Sequence, residues 1–471
     1  MICVSDYEFS IIKDVIEKYA PDCDVLAFGS RYKWTPKDYS DLDLAFAAEG
    51  EFGLKRRSLI EEAFSESSLP YRVDVVDYNG VSPEFRKIID SGNERIYKGK
   101  KGQVEVDGWK NAFLSDFIYF KNGKKRPLRT GEFPVYGGNG ILDYADSFNN
   151  RNSVIIGRVG AYCGSVYYES SPHWVSDNAI SAVNKSNSDI LFDYYLLRSL
   201  SLNQRHIGTS QPLLTQEILN SITVSLPPIS EQIEIGRTLR ALDDKITNNT
   251  KINHHLEQMT QVAFERFLIN DSADEPIGVL SDIAEINPLR SLFRGQETVY
   301  VEMANLPTRG SFPTDWTMRP FSGGMKFTNG DTIMARITPC LENGKTAYIN
   351  FLEEGTVAFG STEYIVITAK PGYCNEMCYY LARYPDFVSY AVRNMNGSSG
   401  RQRVSGDTIG RYKLHIPNAE NVREFAEIAV TIMESIRQNA LESRNLATIR
   451  DTLLPKLMSG ELSVADLSND K

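Results

Sequence analysis

Long apolar runs are missing from this sequence. None of its 471 residues lies in a stretch approaching the ~20 uninterrupted apolar residues that a membrane-spanning helix needs, which argues against a span. The opening segment, Met1 to Tyr19, carries Asp6, Glu8, Asp14 and Glu17. It lacks the basic start and apolar core of a secretion signal. Cysteine is scarce: there are six, scattered, with only Cys374 and Cys378 close together and no Cys-x-x-Cys pair. That pattern fits reduced thiols in a cytoplasm and not a disulfide framework. Five histidines leave little material for a zinc site. Beyond residue 100 there is no Walker A loop, no methyltransferase-style Asn-Pro-Pro-Phe/Tyr motif, no nuclease core of the PD…(D/E)xK kind, and no ordering of Ser, His and Cys as a triad.

What is present is the profile of a globular protein, with 42% apolar and 24% charged residues, and a length that as a prior means about three domains. The net charge of −10 speaks at first sight against nucleic acid. Split by region, residues 1–100 carry 14 basic and 19 acidic groups, residues 101–228 carry 12 and 11, and residues 271–417 carry 14 and 16. The two later blocks are near neutral, and a neutral domain can present a basic face.

The first hundred residues read as a small α/β unit. Helical spacing runs from Ser10 to Tyr19. Short strands are expected at Val25 to Gly29, Leu42 to Ala47 and Tyr71 to Val76, and helices at 52–66 and Pro83 to Ser91. Lys98 to Gln103 is a polar, Gly-containing linker candidate. The remainder repeats itself. Leu114 to Ile118 corresponds to Leu280 to Ala284, Ser153 to Arg158 to Asp331 to Arg336, Ile207 to Gln211 to Asn396 to Gly400, and Gln216 to Pro227 to Gly406 to Pro417. A period this long indicates a duplicated domain. Each copy ends in a heptad-spaced helix. One seam runs Leu239, Leu242, Ile246, Asn249, Asn253, Leu256, Thr260, Ala263, Phe267. The other runs Phe425, Ile428, Ile432, Ser435, Asn439, Glu442, Leu446, Ile449, Leu453, with Ile436 able to pack where Ser435 cannot. Equal lengths and equivalent places predict an antiparallel intrachain coiled coil with a polar middle. Two amphipathic helices packed on separate domains are the alternative.

Two groups of residues point to function. In the first, Gly29-Ser30-Arg31 is followed by Ser40-Asp41-Leu42-Asp43 and later by Val73-Asp74-Val75. Residues two apart on a strand share a face, so Asp41 and Asp43 project together, and two such carboxylates can hold one or two Mg²⁺ ions. Asp74, on a neighbouring strand, completes a metal-ligand set or serves as a base. Gly29 and Ser30 suit a triphosphate tail. This set resembles the minimal nucleotidyltransferase family of the polymerase-beta-like superfamily, over about residues 1–100. The resemblance implies transfer of a nucleoside monophosphate, usually AMP, from an NTP, with Asp41 and Asp43 as metal ligands and Asp74 as third carboxylate. The segment from Tyr32 to Tyr39 is less rich in Gly and Ala than is usual in that family. A domain that keeps the fold and serves only as a contact module is the alternative.

The second group lies in the duplicated blocks. Candidate DNA-facing residues are Arg158, Arg205, Gln211, Arg336, Arg401 and Arg403, because Arg and Gln read base edges bidentately. Tyr136, Tyr162 and Trp174, with Lys124, Lys125 and Arg126, add aromatic and phosphate-type contacts. The loops at Gly208 to Gln211 and Gly397 to Arg403 are polar and in equivalent places. Residues 105–466 resemble the DNA-specificity (S) subunit of type I restriction–modification systems. The match is carried by Ser210-Gln211-Pro212 leading to Leu226-Pro227-Pro228-Ile229-Ser230-Glu231-Gln232, by Asn343-Gly344-Lys345 after Ala335-Arg336, and by Leu446 to Glu461. The extra N-terminal domain departs from that family.

The resemblance implies an α+β multidomain chain: a nucleotidyltransferase-like domain (1–100), target recognition domains (105–228 and 271–418) and two long spacer helices (229–270 and 419–466) forming an antiparallel coiled coil. It implies a cytoplasmic, non-membrane protein whose recognition domains read the halves of a bipartite site in double-stranded DNA. The helices set the spacing and dock modification (methyltransferase) subunits, two in number, to which S-adenosylmethionine belongs. A motor-nuclease subunit is left open as a further partner. The S-like part is not itself catalytic, and Mg²⁺ and an NTP are expected only at the N-terminal domain. The alternative is a nucleotidyltransferase acting on a protein or RNA, with the S-like part as targeting scaffold.

Overall fold

The computed structural model describes residues 2–32, 40–48, 52–99, 108–208, 212–272, 274–398 and 400–468. The chain divides into two compact units, one formed by Met1–Arg237 with Leu453–Lys471, the other by Thr238–Thr452.

The first unit opens with α1 (Asp6–Tyr19), started by a capping box in which the Ser5 hydroxyl accepts from the Glu8 amide while the Glu8 carboxylate accepts from the Ser5 amide. There follow β1 (Asp24–Phe28), the short α2 (Gly29–Tyr32), β2 (Leu42–Ala47), α3 (Leu54–Ser65), β3 (Val73–Asp77), α4 (Pro83–Asp90) and β4 (Asn93–Tyr97). The sheet order is β3-β2-β1-β4, with β2 and β3 parallel and the other pairs antiparallel. Ile12, Ile16, Val25, Leu42, Leu44, Phe46, Val73 and Val75 form its core. On β2 and β3 the apolar residues alternate with Asp43 and Asp74, so burying one face presents the acids on the other. The strand β4 was not anticipated; Asn-Glu-Arg-Ile-Tyr carries little apolar alternation, and an edge strand needs little. The linker candidate Lys98 to Gln103 lies outside the described residues from position 100 onward.

The rest of that unit contains a four-stranded antiparallel sheet in the order Val166–Glu169, Ser153–Gly157, Ala179–Asn184, Ile118–Asn122, and a three-stranded sheet in the order Trp174–Val175, Phe133–Gly137, Gly140–Ala145. The second unit repeats both. One sheet runs Thr346–Tyr348, Thr332–Ala335, Tyr364–Ala369, Ala284–Ile286. The other runs Ala358–Gly360, Glu297–Val301, Thr317–Pro320, with Met325–Phe327 added beside Ala358–Gly360. The parallel pairing of Val135 with Trp174 recurs as that of Tyr300 with Phe359.

The long helices are Ile229–Phe264 and Ala419–Ser459, of 36 and 41 residues, roughly 54 and 62 Å at 1.5 Å per residue. The Ser230-Glu231-Gln232 motif joins the first helix to its domain. The Trp109 indole donates to Glu231 at 2.9 Å, and buried Gln232 donates to the Pro227 carbonyl and accepts from the Asp189 amide. In the second unit the helices run antiparallel with a polar middle. The Asn249 amide donates to Glu442 (2.7 Å), Ser443 (3.2 Å) and the Asn439 carbonyl (3.3 Å), and Asn439 donates to Asn253 (2.8 Å). Arg450 meets Asp243 at 2.6 Å. The first helix buries or half-buries its whole expected seam. The second departs from its own: Ile428 and Ile449 are exposed, whereas Ala429, Met433 and Ile436 are buried. A strict 3.5-residue repeat drifts around a 3.6-residue helix, and the buried stripe follows the helix.

Candidate functional site

In the N-terminal domain the register pairs Asp43 directly with Asp74 across the parallel β2–β3 ladder, and Phe28, last residue of β1, lies opposite Asp43 on the other side. Asp41 immediately precedes β2, two residues from Asp43 and exposed. Burial first, then the like charges of Asp74 and Asp41, push the Asp43 carboxyl above its ordinary value. Gly29 follows β1 with a φ of +76°, and a Cβ there would run into the Asp43 carboxylate. A glycine is therefore required for two reasons, conformation and space. Ser30 is half-buried beside it. The arrangement does not gather three ready ligands. Asp74 is paired to Arg72 at 3.1 Å, and no group of three His, Cys, Asp or Glu among the described residues stands as a metal cluster. Crowded carboxylates under a glycine turn nevertheless fit a divalent cation chemically, because a cation offsets both the burial and the like charges that raise Asp43.

Arg31 was quoted in the sequence without a role. It is buried, its Nε donates to the Ser40 carbonyl at 2.9 Å, its Nη1 to the Cys3 carbonyl at 3.2 Å, and it lies 3.5 Å over the Tyr71 ring. It ties the end of β1 to the residue before Asp41. No periodicity marks such a clamp. The segment 33–39 lies outside the described residues.

In the two copies of the repeat the main-chain bonding around one arginine is matched. Arg158 follows the strand Ser153–Gly157. Its amide donates to the Asn178 carbonyl, and its carbonyl accepts from Leu214, both at 2.9 Å. Arg336 follows Thr332–Ala335. Its amide donates to Glu363 and its carbonyl accepts from Val404, both at 3.0 Å. The adjacent loop is closed in the first domain by reciprocal bonds between Ile207 and Leu213 (3.0 and 2.9 Å). In the second, Asn396 and Arg403 close it the same way (both 2.9 Å). Both Arg158 and Arg336 keep a buried Nε without a hydrogen-bond partner among the described residues.

The other candidates separate. Arg205 and Arg401 are exposed; Arg205 donates to the Leu200 carbonyl at 3.0 Å. Arg403 is engaged by Glu363 in a two-pronged ion pair of 2.7–2.9 Å. Gln211 lies outside the described residues. Tyr136 is buried, with its hydroxyl on Glu169 at 2.8 Å, so it is a core residue and not a DNA contact. Trp174 bridges to the Lys124 carbonyl at 3.1 Å, whereas Tyr162 is exposed. Sequence reasoning missed Glu363, which lies forty positions from its partner.

Residues 106–258 match the type I restriction modification DNA specificity domain, and residues 11–101 match the polymerase beta nucleotidyltransferase family. The N-terminal region is 45% identical over 86 residues to the probable protein adenylyltransferase MntA of Haemophilus influenzae, covering 18% of this chain and 75% of that one. The type I restriction enzyme HindI specificity subunit of the same organism is 22% identical over 329 residues, covering 53% of this chain and 71% of that one. The crystal structure of the type I S subunit from M. genitalium shares the fold, with a TM-score of 0.54 at 15% identity over 76% of this chain and 98% of that one. The chain thus carries a type I restriction modification DNA specificity domain over residues 106–258, with specificity subunits of type I restriction enzymes among its relatives, and a nucleotidyltransferase-family domain at its N-terminus. No helix among the described residues is long and apolar enough to cross a membrane.

Proposed function

We propose that this protein reads a bipartite site in double-stranded DNA, one half through residues 105–228 and the other through residues 271–418. The observation that carries this is the matched pair of loops, each closed by reciprocal backbone bonds beside an arginine at the same scaffold position, Arg158 and Arg336. Loops held on a rigid sheet are where binding function concentrates. The helices 229–270 and 419–466 set the distance between the halves, and their polar middle fixes the register on which that distance depends. In this reading the chain works in the cytoplasm, docks two methyltransferase subunits that bring S-adenosylmethionine, and accepts a motor-nuclease subunit as a further partner. The test is selection of bound duplexes from a random library by the full chain, alone and with its methyltransferase subunit. Two conserved blocks at constant separation are expected. Equal binding to all duplexes at moderate salt would falsify the reading.

A second activity is favoured by Gly29 under Asp43 and by the Asp43–Asp74 register. In this reading the domain transfers a nucleoside monophosphate from an NTP to a protein or RNA acceptor, the α–β phosphoanhydride bond breaking and pyrophosphate leaving. Asp41 and Asp43 would hold Mg²⁺ with Asp74 as third carboxylate, and the metal would neutralise the phosphate charge. Gly29 and Ser30 leave room for the phosphates. Labelled AMP should pass from ATP to the chain or a partner, and Asp41→Ala with Asp43→Ala should abolish it. Label transfer that survives the double substitution would remove this activity from the domain.

A further inference from the structure

The two recognition domains differ at one charged point. In the second, Glu363 grips Arg403 at 2.7, 2.8 and 2.9 Å, and the Nη1 of Arg403 also donates to the Arg401 carbonyl at 3.2 Å. Glu363 stands just before the strand Tyr364–Ala369, and its carbonyl receives the Arg336 amide. The Arg403 hydrogen bonds, with lesser attraction from the Arg403 and Arg336 charges, hold the Glu363 carboxyl below its ordinary value, so it stays ionised at neutral pH. One carboxylate thus faces two arginines beside the recognition loop. In the first domain the matching positions hold Asn178 and Leu213, which carry no charge.

An arginine on such a face attracts any duplex through its phosphates, whatever the sequence. An arginine already held by a carboxylate must give up that pair before it can do so, because DNA brings its own negative charge toward Glu363. We propose that Glu363 is a specificity-determining positioning residue: it withholds Arg403, and tempers Arg336, so that the second domain does not bind DNA indiscriminately. The inference rests on the DNA-recognition reading above. It assigns discrimination against non-cognate DNA more to the second domain than to the first. Arg403 is then a strut that braces the loop from Asn396 to Arg403 and leaves its tip residues to meet the bases.

The experiment uses the full chain with a labelled random-sequence duplex across a salt series. Glu363→Gln frees one or two cations. Affinity for the random duplex is expected to rise about tenfold at low salt, and the log K against log salt slope to steepen by about 1 to 2. Glu363→Asp keeps the charge and should stay near the unsubstituted protein. Glu363→Gln combined with Arg403→Gln should lose the gain. Arg403→Gln alone leaves the Glu363 carboxylate bare and should weaken random-duplex binding, and adding Glu363→Gln should restore it. A double variant that binds the random duplex clearly more weakly than the unsubstituted protein shows that Arg403 already serves phosphates and overturns the proposal. So does a folded Glu363→Gln protein that binds random DNA no more tightly. Selection from the random library separates the two ideas. A protein that selects a bipartite site yet is indifferent to Glu363→Gln overturns only this inference. A protein that selects none overturns the DNA reading, and this inference with it.

Discussion

In the first half of the repeat the residue opening the central strand, Ser153, is fully buried, and its hydroxyl meets the His173 ring at 2.8 Å. In the second half the matching position is Asp331, equally buried, with Arg290 at 2.6 Å, the Thr368 hydroxyl at 2.5 Å and the Thr328 amide at 2.7 Å. A neutral pair and an ion pair occupy the same place under the same sheet. Five residues along the strand the pattern recurs: Arg158 and Arg336 share their main-chain bonds, yet the residue whose carbonyl receives the arginine amide is Asn178 in the first and Glu363 in the second. What repeats is the main-chain hydrogen bonding, which every residue but proline can supply. What varies is the side chain hung on it. A repeat built this way can change its surface, and even its buried polar groups, without losing its frame.

The sharpest test of that comparison is the buried pair. Arg290→Leu strips Asp331 of its cation in a site without solvent, and should cost the second unit about 3 kcal/mol. Ser153→Ala removes one neutral hydrogen bond and should cost about 1 kcal/mol. Chemical unfolding followed by a fluorophore in each unit measures both. Equal costs would mean that the two polar plugs are interchangeable and the ion pair adds nothing of its own.

Next in size is binding. If the two arginines are true equivalents, Arg158→Ala and Arg336→Ala should each weaken the selected site by about 1–3 kcal/mol. Each should relax sequence preference in its own half only. An effect on both halves from one substitution would break the equivalence.

The buried histidine gives the halves different responses to acid. The His173 Nδ1–H donates to the Ser171 carbonyl at 2.8 Å, which leaves Nε2 to accept from Ser153. Burial pushes the imidazole below its ordinary value. The unfolded chain takes up a proton that the folded one refuses, so stability is complete above about pH 6.5 and falls below it, by no more than about 1.4 kcal/mol per pH unit. Glu363, held low, keeps its contribution above the ordinary Glu range and loses it only in stronger acid. Melting between pH 7 and pH 5 should therefore lower the first unit before the second. His173→Gln should flatten the slope of the first; an unchanged slope would place the acid-sensitive group elsewhere.

Much of this was legible in the sequence, for reasons that show where legibility ends. The strand Leu42–Ala47 and the shared face of Asp43 and Asp74 follow from a period of two, which survives any context. The repeat was visible because its turns and caps sit at fixed offsets: the helices Gln216–Asn220 and Gly406–Gly410 start alike, on Thr215 and Ser405. The Arg403–Glu363 pair was not visible, because only the strand order brings position 363 beside position 403. Tyr136 reads as a surface aromatic until Glu169 is seen to satisfy its hydroxyl. Arg31 announces nothing until Ser40, Cys3 and Tyr71 surround it.

The long helices carry the same comparison to its smallest effect. The first follows a heptad seam from Leu239 to Phe267, whereas the second leaves Ile428 and Ile449 outside at 38% and 48% exposure while burying Ile436 to 2%. If the seam is set by the helix and not by the heptad count, Ile428→Ala and Ile449→Ala should each change stability by less than about 0.5 kcal/mol. Ile436→Ala, one step off the count, should cost about 2–5 kcal/mol. Thermal melts of the three variants decide the matter. A large loss from Ile449→Ala would mean that the outer face of this helix is covered in the assembled state of the chain. In that event Ile252, Met259 and Val262, three exposed apolar residues of the first helix, become the positions to truncate next, since a covering partner that treats the halves alike should be felt there too.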